Sequence, residues 1–164
     1  MTEERLKALK GRVHIKAWQK QSDGSEKLIK DTIFDNLIVN LGKDSILRTL
    51  GDLSCGGTAG AIGVGDSTQA AALGDTDMVA SSNKYWKGIV AADKTYVRPT
   101  LFLTTDFGFS QANFTWNEIG LCDTQGSPGD SPAEGSKLWA RQIDASPLVK
   151  DVSKRAIIEW QLTL

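Results

Sequence analysis

The sequence predicts a mainly β protein, an antiparallel β-sandwich of the jelly-roll kind with one inserted α-helix and a short helical N-terminal arm. Roughly seven or eight segments alternate apolar and polar residues with the period of two that is typical of a half-buried strand. Turn-forming residues separate these segments about every ten residues, and helices do not alternate with strands as a parallel α/β sheet requires. With 164 residues the chain is long enough for one full core. We therefore predict an arm at residues 1–10 and a single domain at residues 11–164.

The first part of the chain predicts the arm and a β-hairpin. Thr2 is a suitable cap for a short helix over residues 3–10. Apolar and polar residues then alternate over residues 13–18, and the turn-forming residues 22–25 lead to a second alternating segment at residues 27–34. These two segments should pair with each other.

The middle and end of the chain predict one helix, further strands and two long loops. Asn40 is a good helix cap, and apolar residues recur on one helical stripe until Gly51. Residues 66–83 and 123–135 lack a sustained period and are expected to be loops. The further strands are expected at residues 61–65, 84–92, 95–105, 112–122, 137–143 and 152–164.

The stretch at residues 111–122 is expected to be a central strand. Residues 112–116 alternate cleanly, but at Glu118 the pattern changes so that a carboxylate falls on the apolar face, which predicts a bulge or burial on both faces. A carboxylate directed into a core needs a cation nearby. We therefore predict that Glu118 is buried and forms an ion pair with Arg141 or Arg98 on a neighbouring strand.

The composition is that of an ordinary globular protein and argues against several kinds of partner. The net charge of -1 provides no basic excess for a phosphate backbone, so no direct nucleic-acid binding is expected. No apolar run approaches the roughly 18 residues of a membrane span, and the chain starts without an apolar leader, so we expect no membrane association and a cytosol-like compartment. In such a compartment Cys55 and Cys122 are expected to be buried thiols.

Several short motifs resemble catalytic or binding sites but lack essential partners. Residues 65–67 match the Gly-Asp-Ser block of a hydrolase family, yet the single histidine, His14, lies far upstream on the polar face of a predicted strand. The glycines of residues 60–65 lack the spacing and the lysine of a phosphate-binding loop. The aspartates of residues 66–83 lack the ligand spacing of a calcium loop, and Asp75 is better placed as a helix cap. We expect no catalytic residues, no cofactor and no metal site.

The five tryptophans divide into two groups. Trp116 and Trp160 share the parity of apolar residues and are expected in the core. Trp18, Trp86 and Trp139 are candidates for a subunit contact, because aromatic side chains are common anchors at interfaces. The alternative is that exposed tryptophans stack on sugars.

Several separated pieces of this sequence also occur together in one order. They are Asn36-Leu37-Ile38-Val39 followed by Gly42, Ile62-Gly63-Val64-Gly65 with residues 71–77, residues 113–121, Leu138-Trp139-Ala140-Arg141, and the closing strand around Trp160. This ordered set resembles small virion proteins of tailed bacteriophages, which are described as tail-fibre, tail-associated or head-decoration components. The resemblance covers residues 36–164 and departs at Cys122 and the long loop after it, where a shorter turn is expected.

The resemblance implies a non-enzymatic virion structural protein that assembles with copies of itself, as a trimer, and with other virion proteins. Its location would then be the virion, after assembly in the cytoplasm of the host bacterium. The absence of a catalytic motif agrees with this function, and the arm and the two long loops are the expected contacts. The alternative function, from another class, is a carbohydrate-binding β-sandwich module for attachment to the host surface.

Overall fold

A computed structural model of the chain describes residues 9–43, 60–123 and 138–163, and its regular structure is almost entirely β. The strands are β1 Lys10–Lys20, β2 Glu26–Ile38, β3 Ala61–Gly65, β4 Lys84–Gly88, β5 Lys94–Val97, β6 Thr100–Phe107, β7 Thr115–Cys122, β8 Leu138–Val149 and β9 Lys154–Thr163. They form one nine-stranded sheet in the order β4-β3-β7-β8-β2-β1-β9-β6-β5. Every pairing is antiparallel. The predicted mainly β, antiparallel class is confirmed.

The long strand β2 connects the two parts of this sheet. Residues 26–36 pair with β1 in the predicted hairpin, whose turn uses Gly24 in a left-handed conformation with φ of 84°. At its other end β2 pairs with β8 through Leu37 and Ile38. The hydrogen-bonded ladder between β2 and β8 is therefore short. Further along β2, side chains connect β2 to β8.

The sheet curls so that its inner faces share one core. Alternating residues of β1 and β9 are fully buried there, including Ile15 and Trp160. The ring of Phe107 on β6 packs edge-on against Trp116 of β7 at 5.0 Å and against Tyr85 of β4 at 6.2 Å, measured between ring centroids. These contacts bring strands that are distant in the hydrogen-bonded order close together in space. The predicted core positions of Trp116 and Trp160 are confirmed.

A second, smaller core lies on the other face of β3, β4 and β7. The loop of residues 66–83 covers this face and adds Met78, which packs with Trp86 and Ala61. β7 is consequently buried on both faces from Glu118 onward, and its register with β8 shifts near that residue. The predicted bulge and two-sided burial of this strand are therefore both confirmed.

Two predicted strands and one predicted helical turn differ from the structure. The strand predicted at residues 95–105 is two strands, because the chain turns at Pro99, which has no N–H for a ladder. β7 begins at Thr115 because Ala112 has a positive φ of 51°, which is incompatible with a strand. The helical turn expected from Asp75 is absent from the described residue range 60–123; Asp75 instead closes a turn with Ala72.

Other predicted features lie wholly or partly outside the described residues. Of the helix predicted after Asn40, residues 40–43 form a helical turn, in which the Lys43 N–H donates to the Val39 carbonyl at 3.2 Å. The rest of that helix, Cys55, most of the loop at residues 123–135, and most of the predicted arm lie outside the described ranges. Lys10, predicted as the last residue of the arm, is the first residue of β1.

Candidate functional site

The most concentrated set of charged groups is buried where β7 and β8 meet the loop of residues 66–83. Glu118 on β7 and Arg141 on β8 both have fully buried side chains, and the Arg141 Nε donates to the Glu118 Oε2 at 2.6 Å. In the ladder Arg141 stands opposite Gly120, two residues along β7 from Glu118, so the pair is diagonal across neighbouring strands. Of the two predicted partners of Glu118, Arg141 is the one in contact.

The remaining donors of Arg141 hold the loop. Its Nη1 donates to the Asp75 Oδ2 at 2.8 Å and to the Ala70 carbonyl at 3.2 Å, while its Nη2 donates to the Gln69 carbonyl at 2.6 Å. A guanidinium presents its N–H groups in a fixed planar fork. Arg141 therefore determines the position of both carbonyl oxygens relative to β8.

Glu118 holds the returning part of the same loop. Its Oε2 accepts from the Val79 N–H at 3.1 Å, and its Oε1 accepts from the Ala80 N–H at 2.6 Å. Both carboxylate oxygens thus have partners, as a buried charge requires. We call the set Glu118, Arg141 and Asp75 the anchor network, because it connects the loop to the sheet at several points.

Glycines provide the space that this arrangement needs. A Cβ on Gly65 would lie 2.6 Å from the Glu118 Oε1. A Cβ on Gly63 would lie 2.6 Å from the ring of Trp86, and one on Gly120 would lie 2.9 Å from the side chain of Met78. These glycines therefore allow close packing within the chain, between the sheet and the loop that covers it.

The loop is also bonded at its ends and at its turn. The Asp66 N–H donates to the Asn83 carbonyl at 3.1 Å, which closes the base of the loop. Lys84 forms an ion pair with Asp77 at 2.6 Å. At the turn, the Leu73 carbonyl accepts from the Asn40 N–H at 2.9 Å. A segment without helix or strand is thus held to the rest of the chain along its length.

Two of the predicted interface tryptophans are internal. Trp86 is fully buried in the smaller core, because glycines in the neighbouring strands leave room for its ring. Trp139 is 7% exposed and belongs to the main core; residues 39–43 lie beside it, and its carbonyl accepts from the Val39 N–H. Their assignment to a subunit contact is therefore corrected: within this chain neither ring is at the surface.

The third tryptophan and the second predicted arginine lie elsewhere. Trp18 is half-buried on the outer face of β1, and the guanidinium carbon of Arg155 lies 4.7 Å from its ring centroid. Arg98 is exposed in the turn between β5 and β6, strands that do not neighbour β7, so its proposed pairing with Glu118 is corrected. Arg98 is exposed to solvent whereas the Glu118 side chain is fully buried, and Arg141 is the partner in contact.

The candidate hydrolase residues are used in local contacts. The His14 Nε2 lies 2.6 Å from the Asp31 Oδ1, and this hydrogen bond lowers the pKa of Asp31. The Ser67 Oγ accepts from the Gln69 N–H at 3.2 Å. Within residues 9–43, 60–123 and 138–163, no group of three or more His, Cys, Asp or Glu side chains is arranged to hold a metal ion. In the same ranges, no helix is both long and apolar enough to cross a membrane.

Three further buried charged residues, an ion pair and a separate lysine, were not predicted from the sequence. Lys30 of β2 and Asp144 of β8 form an ion pair at 2.8 Å, with side chains 7% and 1% exposed. Lys150 is also buried, and it donates to the Gly108 carbonyl at 2.8 Å and the Asn113 Oδ1 at 2.9 Å. Lys30 falls within a predicted strand, but an irregularity in the register beside it determines which face of the sheet its side chain occupies. Lys150 directly follows β8, whose end was predicted too early in the sequence.

No protein-family model matches the chain, and neither the curated proteins nor the solved structures contain a significant match.

Proposed function

We propose that this protein is a non-enzymatic structural component of a bacteriophage virion, acting in the tail or its fibres or as an outer decoration of the capsid. Within this proposal it assembles with copies of itself, as a trimer, and with other virion proteins. The curled sheet would serve as a jelly-roll-like sandwich, a rigid body that presents surfaces and loops. Assembly would take place in the cytoplasm of the host bacterium.

The observation that carries the proposal is the convergence of the separated motifs on the anchor network. The motif at residues 36–39 ends beside β8, where the Val39 N–H donates to the Trp139 carbonyl. Residues 71–77 contribute Asp75, residues 113–121 contribute Glu118, and the motif at residues 138–141 contributes Arg141. Four of the five pieces that resemble virion proteins, all except the strand around Trp160, are therefore neighbours in space, which supports treating those four as one structural unit.

The chemistry of the network supports a structural function. The charged atoms of Glu118 and Arg141 are buried and bonded to each other or to the loop, so they fix a surface segment in place. A general acid or base needs to reach a substrate. A protein that docks with neighbours needs loops held in one conformation, because ordering a loop on binding weakens affinity.

The proposal is tested on particles. Purified virions of a phage that encodes this chain should contain it at a fixed copy number that matches the particle's symmetry, and a phage lacking the gene should give defective or less stable particles. Absence of the chain from purified particles would overturn the proposal.

The alternative function, a carbohydrate-binding module, has one feature in its favour. A depression of about 260 Å³ beside Trp18 is lined by His14, Lys16, Ile157 and Glu159. However, Arg155 covers the Trp18 ring, which a sugar would need to stack on. Glycan-array binding that is lost in Trp18→Ala would favour this alternative, and no binding to any glycan would remove it.

A further inference from the structure

We propose that the outer face of the β1–β2 hairpin is a contact between two copies of this chain related by a two-fold axis. The inference rests on the self-assembly in the proposed function and names one face through which two copies would meet. It departs from the trimer given there, because a two-fold contact joins subunits in pairs. We call this face the ribbon. It consists of Arg12, His14, Lys16 and Trp18 of β1 and of Leu28, Asp31, Ile33 and Asp35 of β2.

The ribbon combines exposed apolar groups with charges. Ile33 is 54% exposed and Leu28 is 46% exposed, although both lie in a regular strand. Among the described residues, no core cluster includes either of them. Apolar residues on a solvent-facing strand, beside charged ones, are typical of a surface that another protein covers.

The register of the hairpin gives the ribbon a definite pattern. Arg12 stands opposite Asp35, Lys16 opposite Asp31, and Trp18 opposite Leu28, while His14 stands opposite Ile33. The β1 side of the ribbon is therefore basic and aromatic, and the β2 side is acidic and aliphatic. At two of these heights a basic residue stands opposite an acidic one, and within the chain Asp35 contacts Arg12 and Asp31 contacts His14.

A two-fold axis turns this pattern into a self-complementary surface. The axis runs parallel to the strands and lies in front of the ribbon, midway between β1 and β2. It places β1 of one copy over β2 of the second copy, and each residue keeps its height along the strands. Lys16 then faces the second copy's Asp31 and Arg12 faces its Asp35. Trp18, with Arg155 over its ring, lies at the height of the second copy's Leu28. Each contact occurs twice, as in any isologous interface.

The occupant that best matches this surface is a second copy, because the charge pattern is complementary to itself. Stacked sheets pack about 10 Å apart with strand directions within about 30° of each other, a separation that side chains of this size can bridge. A standard interface of about 800 Å² per partner needs more than the ribbon alone. The depression lined by Ile157 and Glu159 of β9 adjoins Lys16 and Trp18 and extends the surface.

A charge exchange between chains tests the contact. Lys16→Glu places two carboxylates face to face in the pair, and Asp31→Lys places two ammonium groups face to face, so each variant should dimerise at least about tenfold more weakly than the wild type. When the two variants are mixed, Glu at position 16 of one chain faces Lys at position 31 of the other, and the dimer should return. Lys94→Glu on β5 makes the same charge change outside the ribbon and should leave association unchanged.

The measurement is sedimentation velocity over a range of concentrations, with a thermal melt of each variant to verify folding. Recovery in the mixture distinguishes the proposal from an effect within one chain, because mixing cannot repair an intrachain contact. An oligomer with an odd number of subunits, or one indifferent to Lys16→Glu, overturns the ribbon contact while leaving self-assembly in place. A wild-type chain that remains monomeric overturns self-association altogether, and the search for the chain in virions then decides the proposed function separately.

Discussion

At the scale of single residues, the molecule is defined by charges placed where water cannot reach them. Glu118 and Arg141 have no exposed side-chain surface, and their charged atoms bond to each other and to the loop of residues 66–83. A buried ion pair adds little net stability compared with an apolar pair of the same shape, but losing one partner leaves the other charge uncompensated. The pair therefore serves to fix one arrangement of the loop.

Glu118→Ala should lower the free energy of unfolding by about 3–5 kcal/mol, because the variant leaves the Arg141 guanidinium buried beside fewer acceptors. Urea denaturation in dilute solution measures the change. Asp106→Ala is the control, since it removes an exposed carboxylate that contacts Arg155 at 3.4 Å and should cost less than about 1 kcal/mol. Equal stability of the two variants would contradict the structural role of Glu118.

Lys150 should make stability depend on pH in the alkaline range. Burial lowers its pKa from 10.5 to about 8, and the nearby carboxylates of Asp151 and Asp106 offset part of this effect. Between these two values the unfolded chain binds more protons than the folded chain, so the free energy of unfolding contributed by Lys150 rises with pH. Below about 8 both states carry the proton, and this contribution is constant.

The comparison of wild type with Lys150→Met isolates this effect. The difference in free energy of unfolding between them should shift in favour of the wild type as the pH rises from about 7.5 to about 10. Denaturation at several pH values measures it. A difference that stays flat over this range would show that Lys150 keeps an ordinary pKa in the folded protein.

At the scale of elements, β7 shows which features the sequence could predict. Its alternation and the misplaced parity of Glu118 predicted a buried strand with a cation beside it, because a carboxylate on an apolar face has few other solutions. Asp75 could not be assigned to Arg141, since it belongs to a loop with no periodicity. Ala112 was assigned to the strand because its apolar side chain fits the alternating pattern. Its left-handed backbone excludes it from β7, and a pattern of apolar and polar residues does not indicate backbone conformation.

Short strands were the elements least predictable from the sequence. β4 has only five residues, too few for parity to show which side Trp86 faces. Its burial depends on two glycines in other strands, so it is a property of the ladder and not of β4 alone. The long strands β1 and β9 were predicted well because each buries one face over its whole length.

Gly63→Ala tests how closely the covering loop and Trp86 pack on the sheet. The new Cβ would lie 2.6 Å from the Trp86 ring and 2.7 Å from the Met78 side chain, so we expect destabilisation of about 1–3 kcal/mol or more. Gly74→Ala is the matched control, because a Cβ there meets no atom within 4 Å, and it should be nearly neutral. Thermal unfolding followed by tryptophan fluorescence measures both; a neutral Gly63→Ala would mean that the packing is looser than described.

At the scale of the whole molecule, the two parts of the sheet are joined by few hydrogen bonds. β2 pairs with β8 only through Leu37 and Ile38, and further down the strands the connection is the ion pair of Lys30 with Asp144. The Lys30 ammonium also donates to the Ser146 carbonyl. A long side chain thus bridges the two strands where no backbone ladder is found between them in the described part of the chain.

Breaking this bridge from one side should be far more harmful than replacing it. Lys30→Met leaves the Asp144 carboxylate buried without its cation and should cost about 3 kcal/mol or more in free energy of unfolding. The double variant Lys30→Met/Asp144→Leu removes both charges and puts apolar side chains between the strands, so it should recover much of that loss. Urea denaturation of the two single variants and the double variant measures the coupling between the residues. If the double variant were no more stable than Lys30→Met, or if Lys30→Met matched the wild type, the two parts of the sheet would have to be held together by contacts other than this ion pair.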